Sequence, residues 1–484
     1  MSISSALNNA LSGLTASSRA TQVVSSNIAN AMTPGYGKRS IELASNATTG
    51  LGGVRITGIT RHTDPVLLSD RRNAGSEVGF HTVTNRFLTD FEALIGTPNE
   101  PSSLSGRLSA LNADLITAAS RPDAVERLDS VVASAQELAG AIRTSSQGVQ
   151  DARTRADANI AIEVQRLNDA LSAVEDLNNR IVNAEVGGHD PSALVDERQA
   201  LVDEISEMVP LRSMDRPNGA VALYSAQGAV LIDGRASEIG FEPTNVVTPY
   251  MSVADGSLSG LTINGIPQRT SSESGQLSGG TLGAHFAIRD ELGVEAQAQL
   301  DAYARDLITR FEAESTDTTR APGSPGLFTD EGGSFLASDE VGVAGRITLN
   351  AGVDPSQGGE SWRLRDGLNA TTPGDVGNSA LLQSFSDALT TQIVPGSGNF
   401  GSDTMTSDGL LTTLAAQIGS DRMRSDQQLS FVSAQHAEFV QMELAQGVDT
   451  DAEMQQLLLI EQSYAANARM IQTIDEMMEA LLRI

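Results

Sequence analysis

The sequence predicts a mainly α-helical protein with an inserted β domain, organised as a rod-like multi-domain subunit whose N- and C-terminal helices pair as a coiled coil. Three observations predict this fold. Apolar residues follow heptad spacing at both chain ends, further heptads run through long internal segments, and short alternating runs fill residues 210–280. Heptad spacing keeps one apolar seam of a helix turned towards a partner helix, whereas alternation is typical of β-strands.

The N-terminal helix is predicted over residues 3–31, where apolar and small side chains recur at alternating steps of three and four. It ends at Thr33-Pro34-Gly35-Tyr36, because proline cannot continue a helix. Two alternating runs, 41–43 and 54–59, then predict strands joined by a turn over 46–53. The residues of this helix that are predicted to form an assembly seam are Ile3, Leu7, Leu14, Val24 and Ile28.

The C-terminal stretch has the same spacing with bulkier side chains. Glycine and proline are absent after Gly447, and Asp449 and Asp451 lie where carboxylates favour a helix N-terminus. A helix is therefore predicted from about Asp449 to Ile484. Because terminal residues normally fray and are polar, an apolar chain end needs a partner. The predicted seam of this helix consists of Leu457, Ile460, Tyr464, Ile471, Ile474, Met478 and Leu481.

The two seams allow two interpretations. They belong either to ordinary core-facing helices of a globular domain or to chain ends that other molecules complete. Ser17, Thr21 and Asn467 lie within the seams, and two helices alone bury too little apolar surface to be stable in water. These observations favour the hypothesis that other chains complete the core.

Between the chain ends the predicted elements are nested. Helical periodicity covers 78–94, 123–148, 149–186 and 191–208 before the strands, and 281–314, 380–391 and 410–446 after them. The predicted domains are 1–62, a coiled-coil helix with a β-hairpin; 63–209, the first part of a helical domain; 210–280, the β-rich insertion; 281–446, the second part of the helical domain with a loop and β excursion over 315–377; and 447–484, the C-terminal coiled-coil helix.

Composition excludes several classes of function. A net charge of −29, from 61 acidic and 32 basic residues, argues against binding to nucleic acid or to an anionic membrane surface. No stretch approaches the ~20 apolar residues of a membrane span. The chain has no cysteine, which excludes disulfides, thiolate metal sites and a cysteine nucleophile. The N-terminus lacks the basic and apolar regions of a cleaved signal peptide, so none is expected.

No motif for catalysis, cofactor binding or metal binding is recognisable. The five histidines are scattered without metal-ligand spacing, and the glycine-rich segment 279–283 lacks the lysine of a phosphate-binding loop. We therefore predict no catalytic, cofactor-binding or metal-binding residues and no enzymatic activity. An enzyme or sugar-binding module within 210–280 remains as an alternative of another class.

Two motifs at opposite chain ends carry a resemblance. Asn27-Ile28-Ala29-Asn30 with Thr33-Pro34-Gly35-Tyr36 resembles the N-terminal signature of the axial proteins of the bacterial flagellum, and residues 463–471 resemble their C-terminal signature. The long inner helices, and Arg289 and Asp290 after the β segment, resemble the FlgK family of hook-associated proteins. Lys38 departs from this family's usual pattern. The signature residues are Asn27, Asn30, Thr33, Pro34, Gly35, Tyr36, Ala465, Asn467 and Ala468.

The resemblance implies a structural axial component that joins the hook to the filament by self-assembly through its terminal helices. A hook or distal rod protein of the same axial family is the alternative. The implied partners are hook protein, the second hook-filament junction protein, copies of the chain in a ring, and an export chaperone on the C-terminal helix. The implied location is the hook-filament junction, outside the cell after type III export.

Overall fold

Helices carry most of the chain in the structure, a computed structural model that describes residues 3–33, 35–45, 52–98 and 100–482. The prediction of a mainly α-helical fold with inserted β-strands is confirmed. The α-helices of these ranges are α1 (Ile3–Ala29), α2 (Pro65–Ile95), α3 (Leu104–Ser120), α4 (Val125–Val186), α5 (Ser192–Met208), α6 (Gly280–Ala287), α7 (Gly293–Glu312), α8 (Val343–Arg346), α9 (Arg363–Asp366), α10 (Ala380–Thr390), α11 (Ser407–Gln446) and α12 (Thr450–Leu482).

The strands are short and form four small sheets in the described ranges. They are β1 (Lys38–Ser45), β2 (Val54–His62), β3 (Leu211–Asp215), β4 (Val221–Ser225), β5 (Val230–Asp233), β6 (Arg235–Ala236), β7 (Ile239–Gly240), β8 (Leu261–Ile263), β9 (Ile266–Gln268), β10 (Phe328–Asp330) and β11 (Ile347–Leu349). The sheets join β1-β2, β3-β4-β5-β6, β7-β8-β9 and β10-β11. In the first hairpin Lys38 pairs with His62, and most of the predicted turn, residues 46–51, lies outside the described ranges.

The chain forms two units from interleaved segments. The first unit comprises Met1–Val78, Gln165–Ile239 and Phe431–Ile484, and the second comprises Gly79–Val164 and Gly240–Ser430. The predicted β-rich segment contributes strands to both units, and its assignment as a separate domain stays a prediction.

Carboxylate caps begin two of the helices that organise the first unit. Asp64 Oδ1 accepts hydrogen bonds from Val66 N (3.0 Å) and Leu67 N (3.2 Å) at the start of α2. Asp449 Oδ1 accepts from the backbone N–H groups of residues 451 (3.0 Å) and 452 (3.1 Å) at the start of α12. A capping carboxylate satisfies backbone donors that a first helical turn leaves unpaired. The helix start predicted near Asp449 is confirmed.

Two helical features of the second unit differ from the prediction. The predicted break between 148 and 149 is wrong, because α4 continues through it. Gly148 lies where a Cβ atom would come within 2.5 Å of Leu94, so this glycine permits close packing rather than a turn. Helix α3 was not predicted, although Leu108, Leu111 and Leu115 are fully or almost fully buried at helical spacing and Ser103 Oγ caps its start.

A buried arginine organises the polar interior of the second unit. Arg289 lies in a π-turn, Ile288–Leu292, between α6 and α7, and its side chain is fully buried. Its guanidinium donates to Asp157 Oδ1 (2.7 Å), to Asp290 Oδ1 (2.8 Å) and to Ser259 O (3.0 Å). Burial opposes its charge, but the hydrogen bonds and charges of both aspartates outweigh burial and raise the pKa of Arg289. The network therefore joins the chain around Ser259 to α4.

Burial of His285 predicts that the stability of the second unit depends on pH. Burial lowers the pKa of His285 from 6.5 to about 4, so the folded protein favours the neutral imidazole. Because the unfolded chain then binds the proton more tightly, stability is lost as pH falls from 6.5 to about 4. Relative to His285→Gln, the protein is expected to lose about 2–3 kcal/mol over this window in denaturant titrations. Equal pH profiles for the two proteins would contradict this prediction.

Candidate assembly site at the paired chain ends

Helices α1 and α12 pack against each other in the first unit. Small residues on α1 allow this close packing: a Cβ atom on Gly13 would lie 2.7 Å from Asn467 Nδ2. Further residues of α1 that are buried include Ala10, Ala16, Ala20, Val23 and Val24. The small-against-large complementarity of the two helices thus lets their backbones approach.

The structure places the predicted seam residues at different depths. Val24 (2% exposed) and Ile474 (3%) are buried. The seam residues that are half-buried are Ile3, Leu7, Leu14, Ile28, Leu457, Ile460 and Ile471, and those that are exposed are Tyr464, Met478 and Leu481. The exposed side of α12 also carries apolar residues that the predicted seam lacks, namely Met454, Leu458, Leu459, Met470, Met477 and Leu482. The predicted helix end at Ile484 lies outside the described residues.

Asn27 joins the two chain ends through its fully buried side-chain amide. Its Nδ2 donates to Arg39 O (2.8 Å) on β1 and to Glu453 Oε2 (2.9 Å) on α12. Its Oδ1 accepts from the Tyr36 hydroxyl (2.9 Å) and from Arg39 N (3.0 Å). Four hydrogen bonds satisfy the amide, so α1, the hairpin and α12 meet at one side chain.

Glu453 is the acidic partner of this junction and is 1% exposed. Besides accepting from Asn27, its carboxylate lies 3.1 Å from Lys38 Nζ. Burying a carboxylate is costly unless it is paired, and here one hydrogen-bond donor and one cation share it. Neither Glu453 nor Lys38 was predicted as a site residue.

Asp196 on α5 binds the hairpin through an arginine on each of its two strands. Arg61 Nε donates to Asp196 Oδ1 (2.7 Å), and the Arg39 guanidinium pairs with Asp196 Oδ2. Arg61 also donates to Gly35 O (3.1 Å), and a Cβ atom on Gly37 would collide with Arg61 Nε. Gly35 has a φ of +76°, a conformation that side chains disfavour. The two glycines therefore allow the chain to turn under Arg61.

The remaining N-terminal signature residues that the structure describes, Asn30 and Thr33, make hydrogen bonds to residues nearby in sequence. Asn30 Nδ2 donates to Ser26 O (2.9 Å), and Thr33 N donates to Asn30 O (2.9 Å). These bonds complete the end of α1. Of the C-terminal signature residues, Asn467 and Ala468 are half-buried and Ala465 is exposed, while Pro34 lies outside the described residues.

The first unit also contains a second charged cluster that residue spacing does not predict. Arg71 and Arg72 on α2 contact Asp203 on α5 at 2.6 and 2.7 Å, and Arg71 lies 2.6 Å from Glu443 on α11. Burial raises the pKa of Glu443, and the positive charge of Arg71 opposes that rise. Because charged residues on helices are usually solvated, spacing alone could not identify this cluster.

The part of the chain that the structure describes shows neither a metal-ligand cluster nor a membrane-spanning helix. No group of three or more metal-ligating side chains comes together there. None of the described helices is long and apolar enough to span a bilayer. The paired helices and their junction, where buried polar side chains from both chain ends meet, form the candidate site.

Comparison with known proteins finds similarity to flagellar proteins along the chain. The family model described as the flagellar hook-associated protein FlgK helical domain matches residues 88–328. Models described as the flagella basal body rod protein and as the flagellar basal body rod FlgEFG protein C-terminal match residues 7–36 and 443–484.

Similar whole proteins include flagellar hook-associated protein 1 of Salmonella typhimurium, 24% identical over 570 residues with 100% of both chains covered. The protein of the same name from Bacillus subtilis is 24% identical over 515 residues, covering 98% of this chain and 97% of the relative. Among solved structures, the flagellar hook junction protein FlgK from Burkholderia pseudomallei matches with a TM-score of 0.44 and 21% identity, over 55% of this chain and 46% of that chain.

Proposed function

The chain belongs to the FlgK family of flagellar hook-associated proteins, and from this premise we propose that it joins the hook to the filament by self-assembly through α1 and α12. It is a structural protein of the flagellum and not an enzyme. The alternative of a hook or distal rod protein is less well supported, because the FlgK helical-domain match covers the segment between the two rod-protein matches.

The exposed apolar surface of α12 is the observation that carries this proposal. Leu458, Leu459, Leu481 and Leu482 are 57–85% exposed, although α1 covers another side of the same helix. Large exposed apolar surfaces mark sites of protein association. Burying each such side chain contributes roughly 1.5–3 kcal/mol, so several of them suffice for a stable joint with neighbouring subunits.

The proposed partners follow from the family. They are hook protein, the second hook-filament junction protein and further copies of the chain arranged in a ring. An export chaperone acts on α12 before assembly, when its apolar side chains have no other cover. The proposed location is the hook-filament junction, reached by type III export.

A charge at Met478 tests assembly without disturbing the subunit. Met478 is 44% exposed in the isolated chain, so Met478→Asp is expected to leave the fold intact and to cost at least about 1.5 kcal/mol at each subunit interface. The expected result is loss of the chain from purified hook-filament junctions, and loss of motility, with an unchanged circular dichroism spectrum.

Gln472→Asp is the matched control, because Gln472 is an exposed polar residue of the same helix. It is expected to assemble normally. Normal junctions containing Met478→Asp would count against assembly through α12.

A further inference from the structure

Lysine occurs once in this chain, at position 38, whereas arginine occupies the other 31 of its 32 basic positions. Lys38 Nζ lies 3.1 Å from the buried carboxylate of Glu453. An ion pair alone does not need lysine, because arginine binds a carboxylate through two parallel hydrogen bonds. What lysine offers and arginine does not is a primary amine that becomes a nucleophile when it loses a proton.

An amide carbon that such an amine could attack lies at the same carboxylate. Asn27 Nδ2 donates to Glu453 Oε2 (2.9 Å), while Lys38 Nζ contacts Oε1, so one carboxylate bridges the amine and the amide. The amide oxygen already accepts from the Tyr36 hydroxyl (2.9 Å) and Arg39 N (3.0 Å). Two donors on a carbonyl oxygen stabilise the negative charge that develops when a nucleophile adds to the carbon.

We propose that Lys38 and Asn27 form an intramolecular isopeptide bond, with Glu453 carrying the proton. Glu453 accepts a proton from the Lys38 ammonium, and the Nζ electron pair then forms a bond to Asn27 Cγ. The carbonyl electron pair moves to Oδ1, beside Tyr36 and Arg39 N. Glu453 delivers that proton to Nδ2, the Cγ–Nδ2 bond breaks, the carbonyl forms again and ammonia is released. Glu453 then takes the second proton from Nζ and passes it to the released ammonia, which leaves as ammonium.

The position of these residues in the fold means that the reaction requires docked α12 and that its product joins α1 to β1. Glu453 lies on α12, so the proton carrier reaches Asn27 and Lys38 only when α12 is docked. Lys38 lines a cavity of about 350 Å³ in the first unit, through which ammonia can leave. The bond ties the end of α1 to β1 covalently. This crosslink goes beyond the proposed assembly role and does not depend on it.

Mass spectrometry of the folded full-length protein tests the proposal. The expected mass is lower than that of the sequence by about 17 Da, the mass of the ammonia released. Trypsin is expected not to cleave after Lys38, so Asn27 and Lys38 appear in one peptide, 20–39. Tandem mass spectra of this peptide are expected to lack backbone fragments from bonds between residues 27 and 38, because the crosslink holds both sides together. A succinimide at Asn27 also removes ammonia, but it leaves Lys38 cleavable, and that result would overturn the proposal.

Three variants separate chemistry from structure. Lys38→Arg keeps a cation beside Glu453 without the amine, and it is expected to fold and to show the full mass. Glu453→Gln is expected to lose the bond, whereas Glu461→Gln, an exposed position of the same helix, keeps it. A full-mass wild-type protein with Lys38 cleaved by trypsin would overturn the proposal, as would a bond that persists in folded Glu453→Gln.

Discussion

Arg289→Ala is expected to destabilise the second unit by about 4–5 kcal/mol, because it leaves the buried Asp157 carboxylate without its cation. Asp157 is fully buried and loses its ion pair of 2.7 Å, and Ser259 O loses a donor at 3.0 Å. The guanidinium also lies 5.1 Å from the ring centre of Phe286, so packing is lost with the charge. Against a typical stability of 5–15 kcal/mol, this loss is severe.

Denaturant titrations measure the loss in the free energy of unfolding, and hydrogen exchange shows where in the unit it occurs. Amides of α4 near Asp157 and of the chain near Ser259 are expected to exchange faster, because Arg289 joins these segments. Arg424→Ala is the matched control: Arg424 pairs with Asp421 on the surface of the same unit, where such a pair contributes about 0–1 kcal/mol. Equal stabilities of the two variants would show that the buried network does not hold the unit together.

The importance of Arg289 could not be read from periodicity. An arginine on a helix is normally assigned to the solvated face, and a buried one is recognised only when its acceptors are known. Two of those acceptors, Asp157 on α4 and Ser259 O, are far away in sequence. Family resemblance singled out Arg289 and Asp290, but it assigned neither of them a partner.

The fold was predictable where apolar spacing is regular. Helices α1 and α12 follow heptads, and their existence and approximate ends agree with the prediction. The break assigned near Gly148 failed because glycine has two uses, as a helix terminator and as a site of close packing, and only the neighbouring Leu94 distinguishes them. Helix α3 lies between the predicted helices 78–94 and 123–148, in a segment to which no element was assigned.

The candidate site was predictable in outline only. The signature motif marked Asn27, but the partners that explain it, Glu453 on α12 and Arg39 on β1, come from opposite chain ends. A spacing rule compares near neighbours in sequence and cannot pair residues that are 426 positions apart. Heptad spacing likewise identified only part of the exposed apolar side of α12: Tyr464, Met478 and Leu481 belong to the predicted seam, whereas Leu458 and Leu459 lie outside it.

Asn27→Leu is expected to destabilise the junction of α1, β1 and α12 by about 4 kcal/mol. Leucine has a similar size but accepts and donates no hydrogen bond, so Arg39 N and O and the buried Glu453 carboxylate each lose a partner. Each buried group left unpaired costs about 1–3 kcal/mol. The residue is fully buried, so water cannot replace these bonds without opening the junction.

Hydrogen exchange of the folded chain distinguishes this junction from general instability. Amides at the end of α1, in β1 and in the first turns of α12 are expected to exchange together and faster, while α3 and α7 in the second unit keep their protection. Asn30→Leu is the control, since Asn30 Nδ2 bonds only Ser26 O of its own helix among the contacts described, and a cost under about 1 kcal/mol is expected. If Asn27→Leu exchanged like Asn30→Leu, the amide of Asn27 would not be what holds the two chain ends together.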